Sequence, residues 1–377
     1  MKIGIDARLV VYRRGMGNFV HNLLAELAQI EAPHQYYLYV DTTKASEVLP
    51  QDERFTIKML HPRFYPVWEQ VSLPLQVKHD QLDILYCPAN TAPIWLPSKT
   101  KLVMTIHDVM YMLPPTILPL SPSLYQQLGR QYRRWIVPRA ARGAAAIISD
   151  SIYSKSDTIK LLALQDNQIH VVYGSHGSTY KPLDDAKAVL ALKSKLGLFD
   201  RIIVGLGAID PRKNTARVIE AFAQLLRSGY PYHQLVLIGL NAQAKARFSQ
   251  QCQRLEIVQN VLMLDYITEE ELVTLYNTAE MVVYLSLYEG FGLPVLEAMA
   301  CGVPVISSNT TSIPEIAKDA ALLVDPTSTT AIAEAMAQLA GDKLLRQSFI
   351  VRGYEQAAHF SWPQAAQKVL SIIEQVN

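Results

Sequence analysis

The sequence predicts an α/β protein made of two parallel-sheet domains. Three observations carry that expectation. Short apolar runs with strand character alternate with segments of helical periodicity along the whole chain. The 377 residues suit about two domains. A polar stretch near the midpoint, Lys181-Pro182-Leu183-Asp184-Asp185, reads as a linker.

The first half opens with a buried strand at residues 2–5. The loop Arg13-Arg14-Gly15-Met16-Gly17-Asn18 follows, then a helix over 19–30 with Val20, Leu23, Leu24 and Leu27 on one face. Further strands are expected at 36–40, 56–60, 84–86, 102–106, 144–148 and 170–172, giving a sheet of about six or seven strands. Eleven prolines between residues 62 and 138 break this region into long loops, and such loops often line binding sites. Beyond the linker the alternation restarts. Strands are expected at 202–205, 234–238, 261–264, 281–285 and 303–306. Helices are expected at 216–227, 245–254, 270–277, 295–300, 331–340 and 344–358. The last segment, from Ser361-Trp362-Pro363 through a helix at 364–374, packs on its own domain or crosses back to the first.

Composition narrows the class. Half the residues are hydrophobic and 18% are charged, enough to give each domain a core. The net charge of +1 gives no overall attraction to nucleic acid. Residues 1–177 carry 18 Lys and Arg against 14 Asp and Glu, which suits an anionic membrane surface nearby or reflects ordinary variation. The three cysteines, Cys87, Cys252 and Cys301, form no Cys-x-x-Cys pair and fit a reducing cytosol. The N-terminus lacks a signal-peptide h-region, and no apolar run reaches the roughly 18 residues needed to span a bilayer. The expected location is therefore cytoplasmic, with peripheral contact at the inner membrane surface as the only membrane role. No histidine or cysteine grouping, and no Asp-x-Asp after a strand, points to a metal, so none is expected.

The densest chemical signal is Ser286-Leu287-Tyr288-Glu289-Gly290-Phe291-Gly292-Leu293-Pro294-Val295-Leu296-Glu297, directly after the strand at 281–285. The glycines allow a tight loop, and Pro294 suits the first helical position. Unpaired amides at a helix start make an anion site fit for a diphosphate. Glu289, expected at the strand end, and Glu297, one turn into the helix, can each accept two sugar hydroxyls. Glu297 alone reads equally well as a capping carboxylate.

A second signal is Gly205-Leu206-Gly207-Ala208-Ile209-Asp210-Pro211-Arg212-Lys213-Asn214. The glycines let the chain turn close to phosphate, and Arg212 with Lys213 can neutralise a departing diphosphate. Thr105-Ile106-His107-Asp108 ends a strand where open sheets bind ligands. His107 reads as a sugar ligand or as a packing residue. Asp108 is a weaker candidate for a general base. Gly15-Met16-Gly17 occupies the matching position after the first strand, as a ligand loop or a simple turn. Arg130, Arg133, Arg134, Arg139 and Arg142 surround Trp135, either as a patch for anionic lipid headgroups or as a solvated helix face.

These residues resemble the retaining glycosyltransferases of family 4, which have the GT-B fold. The likeness rests on Glu289-Gly-Phe-Gly-Leu-Pro-x-x-Glu297-Ala-Met-Ala-Cys-Gly-x-Pro-Val, Ser312-Ile-Pro-Glu315, Thr105-Ile-His-Asp108 and Gly15-Met-Gly17, and it covers essentially the whole chain. It implies two Rossmann-like domains facing each other across a cleft: residues 1–180 for the acceptor and 181–361 for the nucleotide-sugar donor, with residues 362–377 crossing back to the first. It implies that Glu289 binds the donor sugar, Glu297 the ribose and Lys213 the diphosphate. The amides of Phe291, Gly292 and Leu293 would lie against sugar and phosphate, Tyr266 and Ile267 would hold the base, and Gly17 would approach the phosphates. His107 would face the sugar. Ala208 stands where many members have arginine, five residues before the lysine, and Arg212 beside Lys213 is the replacement offered.

The activity implied is a metal-independent, retaining hexosyl transfer in cell-surface polysaccharide synthesis. The donor would be GDP-mannose or a UDP-hexose and the acceptor a glycan or a lipid-linked glycan, with no cofactor. The alternatives are a catalytically weak nucleotide-sugar-binding protein, a dinucleotide-dependent oxidoreductase and a glycosidase. The oxidoreductase lacks its third glycine and ribose acid. The glycosidase is opposed by the phosphate-type loop between its two acids.

Overall fold

The computed structural model describes residues 1–12, 15–114 and 124–377, so Arg13, Arg14, Pro115, Pro119 and Pro122 lie outside the described residues. The chain forms two compact units, Met1–Gly174 with Ser361–Asn377, and Ser175–Phe360.

The first unit holds seven parallel strands: β1 (Lys2–Asp6), β2 (Gln35–Val40), β3 (Phe55–Met59), β4 (Ile84–Cys87), β5 (Lys101–Ile106), β6 (Ala146–Ser149) and β7 (Ile169–Val171). Their order is β3-β2-β1-β4-β5-β6-β7. Strands β4 and β6 are buried along their whole length because helices cover both faces. The helix Met16–Gln29 buries Val20, Leu23, Leu24 and Leu27, the face expected from the spacing. The closing helix Trp362–Gln375 buries Trp362, Ala366, Val369, Leu370 and Ile373 in the same core. Its Trp362 ring meets Phe19 edge-on at 5.5 Å.

The second unit holds six parallel strands: β8 (Arg201–Leu206), β9 (His233–Ile238), β10 (Val261–Met263), β11 (Met281–Tyr284), β12 (Val305–Ser308) and β13 (Leu322–Val324). The order is β10-β9-β8-β11-β12-β13, so the winding reverses between β8 and β11.

Several expectations need correction. The first unit ends at Gly174, not at 180. Residues 175–180 pack with the second unit: the Ser175 hydroxyl donates to the Phe360 carbonyl at 2.8 Å, and Tyr180 lies against Tyr276. A helix at Ala186–Leu196, capped by Asp185, follows the linker at once. β13 adds a short edge strand. Part of the proline-rich region is helical rather than loop. Pro66 sits in a first turn, where no backbone donor is needed, Pro74 follows the π-helical turn Trp68–Ser72 in a helical run from Tyr65 to Asp80, and Pro138 lies inside the helix Leu124–Gly143.

Candidate functional site

In the second unit the turn after β8 is built to present cations. Asp210 accepts the amide of Arg212 at 2.9 Å, capping the short 3-10 turn Pro211–Lys213. The Thr215 hydroxyl joins both the amide and the carbonyl of Ala208, at 3.0 and 3.1 Å. The Leu287 amide donates to the Arg212 carbonyl at 2.8 Å and ties this turn to the loop after β11.

That second loop carries Glu289 five residues past the end of β11, not at the strand end as expected, so its side chain folds back over the strand. Its amide donates to Thr311 at 3.3 Å, and the Ser312 hydroxyl reaches the carbonyls of Glu289 and Phe291 at 3.0 and 2.8 Å. Gly292 then turns left-handed, with φ 109°, to start the helix Leu293–Ala300, so Pro294 is its second residue. A Cβ on Gly292 would meet Ile313 Cδ1 at 2.5 Å in addition to the backbone strain, so only glycine fits.

Arg212, Lys213 and Glu289 converge. Lys213 Nζ donates to Glu289 Oε1 and to the Tyr284 hydroxyl, both at 2.7 Å. Tyr284 in turn donates to Glu289 Oε1 at 2.7 Å. Arg212 Nη1 donates to the Tyr288 carbonyl at 3.1 Å and lies 3.4 Å from Glu289 Oε2. Burial alone would raise the Glu289 carboxyl, but Lys213 and Arg212 outweigh it and hold it down at about 2. Burial would likewise lower the Lys213 ammonium, and the Tyr284 and Glu289 side chains raise it instead. Both cations are therefore charged and fixed at the point where strand order reverses, which is where open α/β sheets bind ligands. The start of Leu293–Ala300 adds its partial positive charge. Two aligned cations and a helix N-terminus can hold a diphosphate, and the neighbouring carboxylate can accept hydroxyls.

Glu297 is buried in the second turn of this helix, and its carboxyl has no hydrogen-bond or ion-pair partner among the described residues. Burial, with a smaller push from Glu269, raises it to about 8. The Tyr276 hydroxyl is buried without a hydrogen-bond partner; burial raises its pKa, and the nearby Glu297 adds to the rise. An unpartnered buried hydroxyl with a carboxyl in electrostatic reach suits a ligand that supplies hydroxyls. The unfolded carboxyl of Glu297 ionises near its ordinary 4.5 while the folded one stays neutral, so this group costs stability increasingly as pH rises from 4.5 to about 8. The Glu297→Gln variant is expected to melt above the parent at pH 8 and higher, with the difference vanishing towards pH 5. A constant difference across that range in a calorimetric melt contradicts the assignment.

Gly207, Gly239 and Tyr266 meet at the same edge of the sheet. Gly207 donates to the Ile238 carbonyl at 2.8 Å, Gly239 to that of Asp265 at 3.2 Å, and the exposed Tyr266 ring lies beside Gly239. Ile267 follows, half-buried.

In the first unit Gly15 caps the helix Met16–Gln29 with φ 50°. Gly17 is buried, and a Cβ there would meet the Tyr12 carbonyl oxygen at 1.9 Å, so packing within its own unit already demands glycine. His107 is fully engaged by protein. Nδ1 lies 2.6 Å from Asp150 Oδ2 and Nε2 lies 2.8 Å from the Pro88 carbonyl. The Pro88 carbonyl can only accept, so Nε2 donates, and the proton shared between Nδ1 and the Asp150 carboxyl gives the ring a positive charge when it sits on nitrogen. Burial opposes that charge, but Asp150 raises the pKa. His107 thus serves neither as a free sugar ligand nor as a simple packing residue in this state. Asp108 accepts the Met110 amide at 3.1 Å.

Sequence reasoning missed Tyr284, Tyr276 and Asp150. It also missed a buried group beyond β1, in which Arg8 lies over the Tyr65 ring at 3.9 Å and Glu69 accepts from Tyr65 and Tyr132 at 2.6 Å. The one local signal was Asp6-Ala7-Arg8, a charged pair directly after a buried strand. The arginine cluster divides: Arg130 and Arg134 donate to the carbonyls of Tyr111 and Leu113, while Arg139 folds over the Trp135 ring at 4.4 Å. Among the described residues no group of three or more His, Cys, Asp and Glu side chains could hold a metal ion. No helix of the described residues is long and apolar enough to cross a membrane.

Residues 191–356 match the family model "Glycosyl transferases group 1", and residues 13–175 match "Glycosyltransferase Family 4". The chain is 29% identical to the O-antigen chain mannosyltransferase B of Escherichia coli over 83% of its own length and 78% of that protein. It is 28% identical to the serotype-specific mannosyltransferase WbdA of Escherichia coli over 74% of its length, but spans only 33% of that longer protein. Among solved structures, Anabaena HepE in complex with UDP and glucose superposes with a TM-score of 0.75 at 18% identity, covering 100% of both chains.

Proposed function

From the premise that the chain belongs to the family 4, group 1 glycosyltransferases, we propose that it transfers mannose, with retention of configuration, from GDP-mannose to a glycan or lipid-linked acceptor in cell-surface polysaccharide synthesis. The observation that carries the reading is the convergence of Arg212, Lys213 and Glu289 at the strand reversal of the second unit. The similarity to O-antigen mannosyltransferases supports the sugar and the setting.

In this reading Lys213 and Arg212 bind the diphosphate and stabilise the charge that grows on it as the glycosidic bond breaks. The Leu293–Ala300 helix start adds to that stabilisation. These fixed cations supply the positive charge that a metal would otherwise bring. Glu289 accepts hydroxyls of the mannosyl ring, and Glu297 with Tyr276 meets the ribose diol. Tyr266 and Ile267 lie against the base. The departing phosphate oxygen takes the proton of the acceptor hydroxyl on the face it leaves, which preserves the anomeric configuration. Arg212 supplies the guanidinium that Ala208 lacks: its Nη1 already stands 3.4 Å from Glu289.

The test is a thermal-shift screen of the purified chain against GDP-mannose, UDP-glucose, UDP-galactose and ADP-glucose, followed by NMR of the sugar released or transferred. Stabilisation by GDP-mannose alone and an α-mannosyl product are expected. Preference for a UDP-sugar overturns the donor, and a β product overturns retention.

A further inference from the structure

The first unit exposes an apolar surface that its own core does not explain. Phe64, Val67, Val71 and Leu75 are exposed at a spacing of three to four residues along residues 64–80. Ile94 and Trp95 are exposed on the loop before β5, and Leu124, Leu128 and Trp135 on one face of the helix Leu124–Gly143. Gln70 knots the three segments together. It donates to the Tyr132 hydroxyl at 3.1 Å and to the Ala92 carbonyl at 3.2 Å, and accepts the Ile94 amide at 3.0 Å. Exposed apolar side chains gathered on three linked segments mark a site of interaction.

The charges around it have one sign. Among the described residues of 61–80, 93–99 and 124–143 the exposed charged side chains are Arg63, Lys78, Lys99, Arg139 and Arg142. The only acids in those segments, Glu69 and Asp80, are buried. Arg139 stacks on the exposed Trp135 ring, an amphipathic pair suited to a water–lipid boundary. Apolar side chains beside cations, with aromatic rings between and no exposed acid, complement an anionic lipid surface.

We propose that this face of the first unit, formed by residues 64–75, 94–95 and 124–142, docks the enzyme on an anionic bilayer. Leu124, Leu128, Val71 and Trp95 enter the acyl boundary, while Arg139 and Arg142 meet phosphate headgroups. The surface differs from one made by the arginine cluster alone: Arg130 and Arg134 are folded onto the carbonyls of Tyr111 and Leu113 and are not exposed, whereas Arg139, which gives one Nη1 bond to the Trp135 carbonyl at 2.6 Å, stays exposed with Arg142. The proposal is independent of which sugar is transferred.

Flotation of the full chain with phosphatidylglycerol-containing vesicles at low salt tests it, with phosphatidylcholine vesicles as reference. The parent is expected to float with the anionic vesicles and to be released as salt is raised. Of the four tryptophans, Trp68 and Trp362 are buried while Trp95 and Trp135 are exposed on this face, so emission is expected to shift blue on binding. Trp95→Asp with Leu128→Asp, and separately Arg139→Glu with Arg142→Glu, are each expected to weaken binding roughly tenfold or more. These side chains are exposed, so melting temperatures stay close to the parent. No flotation of the parent, flotation of either double variant equal to the parent, or a self-associated chain that the aspartates dissociate without any lipid binding would each overturn the proposal.

Discussion

Lys213→Ala is expected to lower turnover about 10²–10³-fold, the effect of removing one fixed donor from a developing anion. Lys213 is the cation nearest Glu289, and it is held from two sides, by the carboxylate and by the Tyr284 hydroxyl. Alanine leaves Glu289 facing only Arg212 among the two cations, at 3.4 Å. The diphosphate loses a charge-assisted bond worth about 1.5–3 kcal/mol, so GDP affinity falls roughly tenfold to a hundredfold. Loss of part of a buried ion pair also costs stability, about 2–3 kcal/mol for a lysine that is partly solvated. Steady-state kinetics alongside a thermal melt separate the two effects. Turnover within threefold of the parent in a folded variant contradicts the role.

Glu289→Gln is expected to lower turnover by a similar factor while moving nucleotide affinity the other way. In the unliganded protein the carboxylate neutralises Lys213 and Arg212, and they hold it at about 2. Glutamine keeps the shape and removes the charge. The two cations then face each other unneutralised, and the variant loses stability that a bound diphosphate restores. GDP is expected to raise the melting temperature of Glu289→Gln by more than that of the parent, although transfer is crippled because an amide accepts sugar hydroxyls less strongly than a carboxylate. The pH sign agrees. Glu289 contributes stability above its unfolded value of 4.5 that disappears as pH falls through about 2, and the variant lacks this acid dependence. A smaller GDP shift in Glu289→Gln than in the parent counts against the assigned geometry.

Much of the frame was legible because its signals are local. Apolar runs such as Ile147-Ile148 and Val282-Val283 announce strands buried on both faces, and the Val20–Leu27 spacing announces a helix. What was missed lacked a local signal. Leu322–Val324 is three residues long and only half-buried, too short to stand out from a loop. Pro66 and Pro74 read as breakers because sequence does not show that one falls in a first turn and the other behind a π-helical turn.

The site divides in the same way. Glu289, Glu297, Arg212 and Lys213 lie in glycine- and proline-marked turns after strands, where backbone chemistry is visible. Tyr284 looks like one more apolar residue of β11, and only the fold turns its hydroxyl onto Glu289 and Lys213. His107 is the opposite case: its Asp150 partner lies 43 residues on, just past the end of the neighbouring strand, and no local pattern links them.

The most direct measurement is calorimetric titration of GDP into the parent, Lys213→Ala and Glu289→Gln proteins under one buffer condition. A diphosphate seated on Arg212 and Lys213 beside Glu289 predicts one site per chain, weakened roughly tenfold or more by the lysine change and strengthened or held by the glutamate change. Affinities that move in the same direction in both variants, or in neither, would place the diphosphate elsewhere.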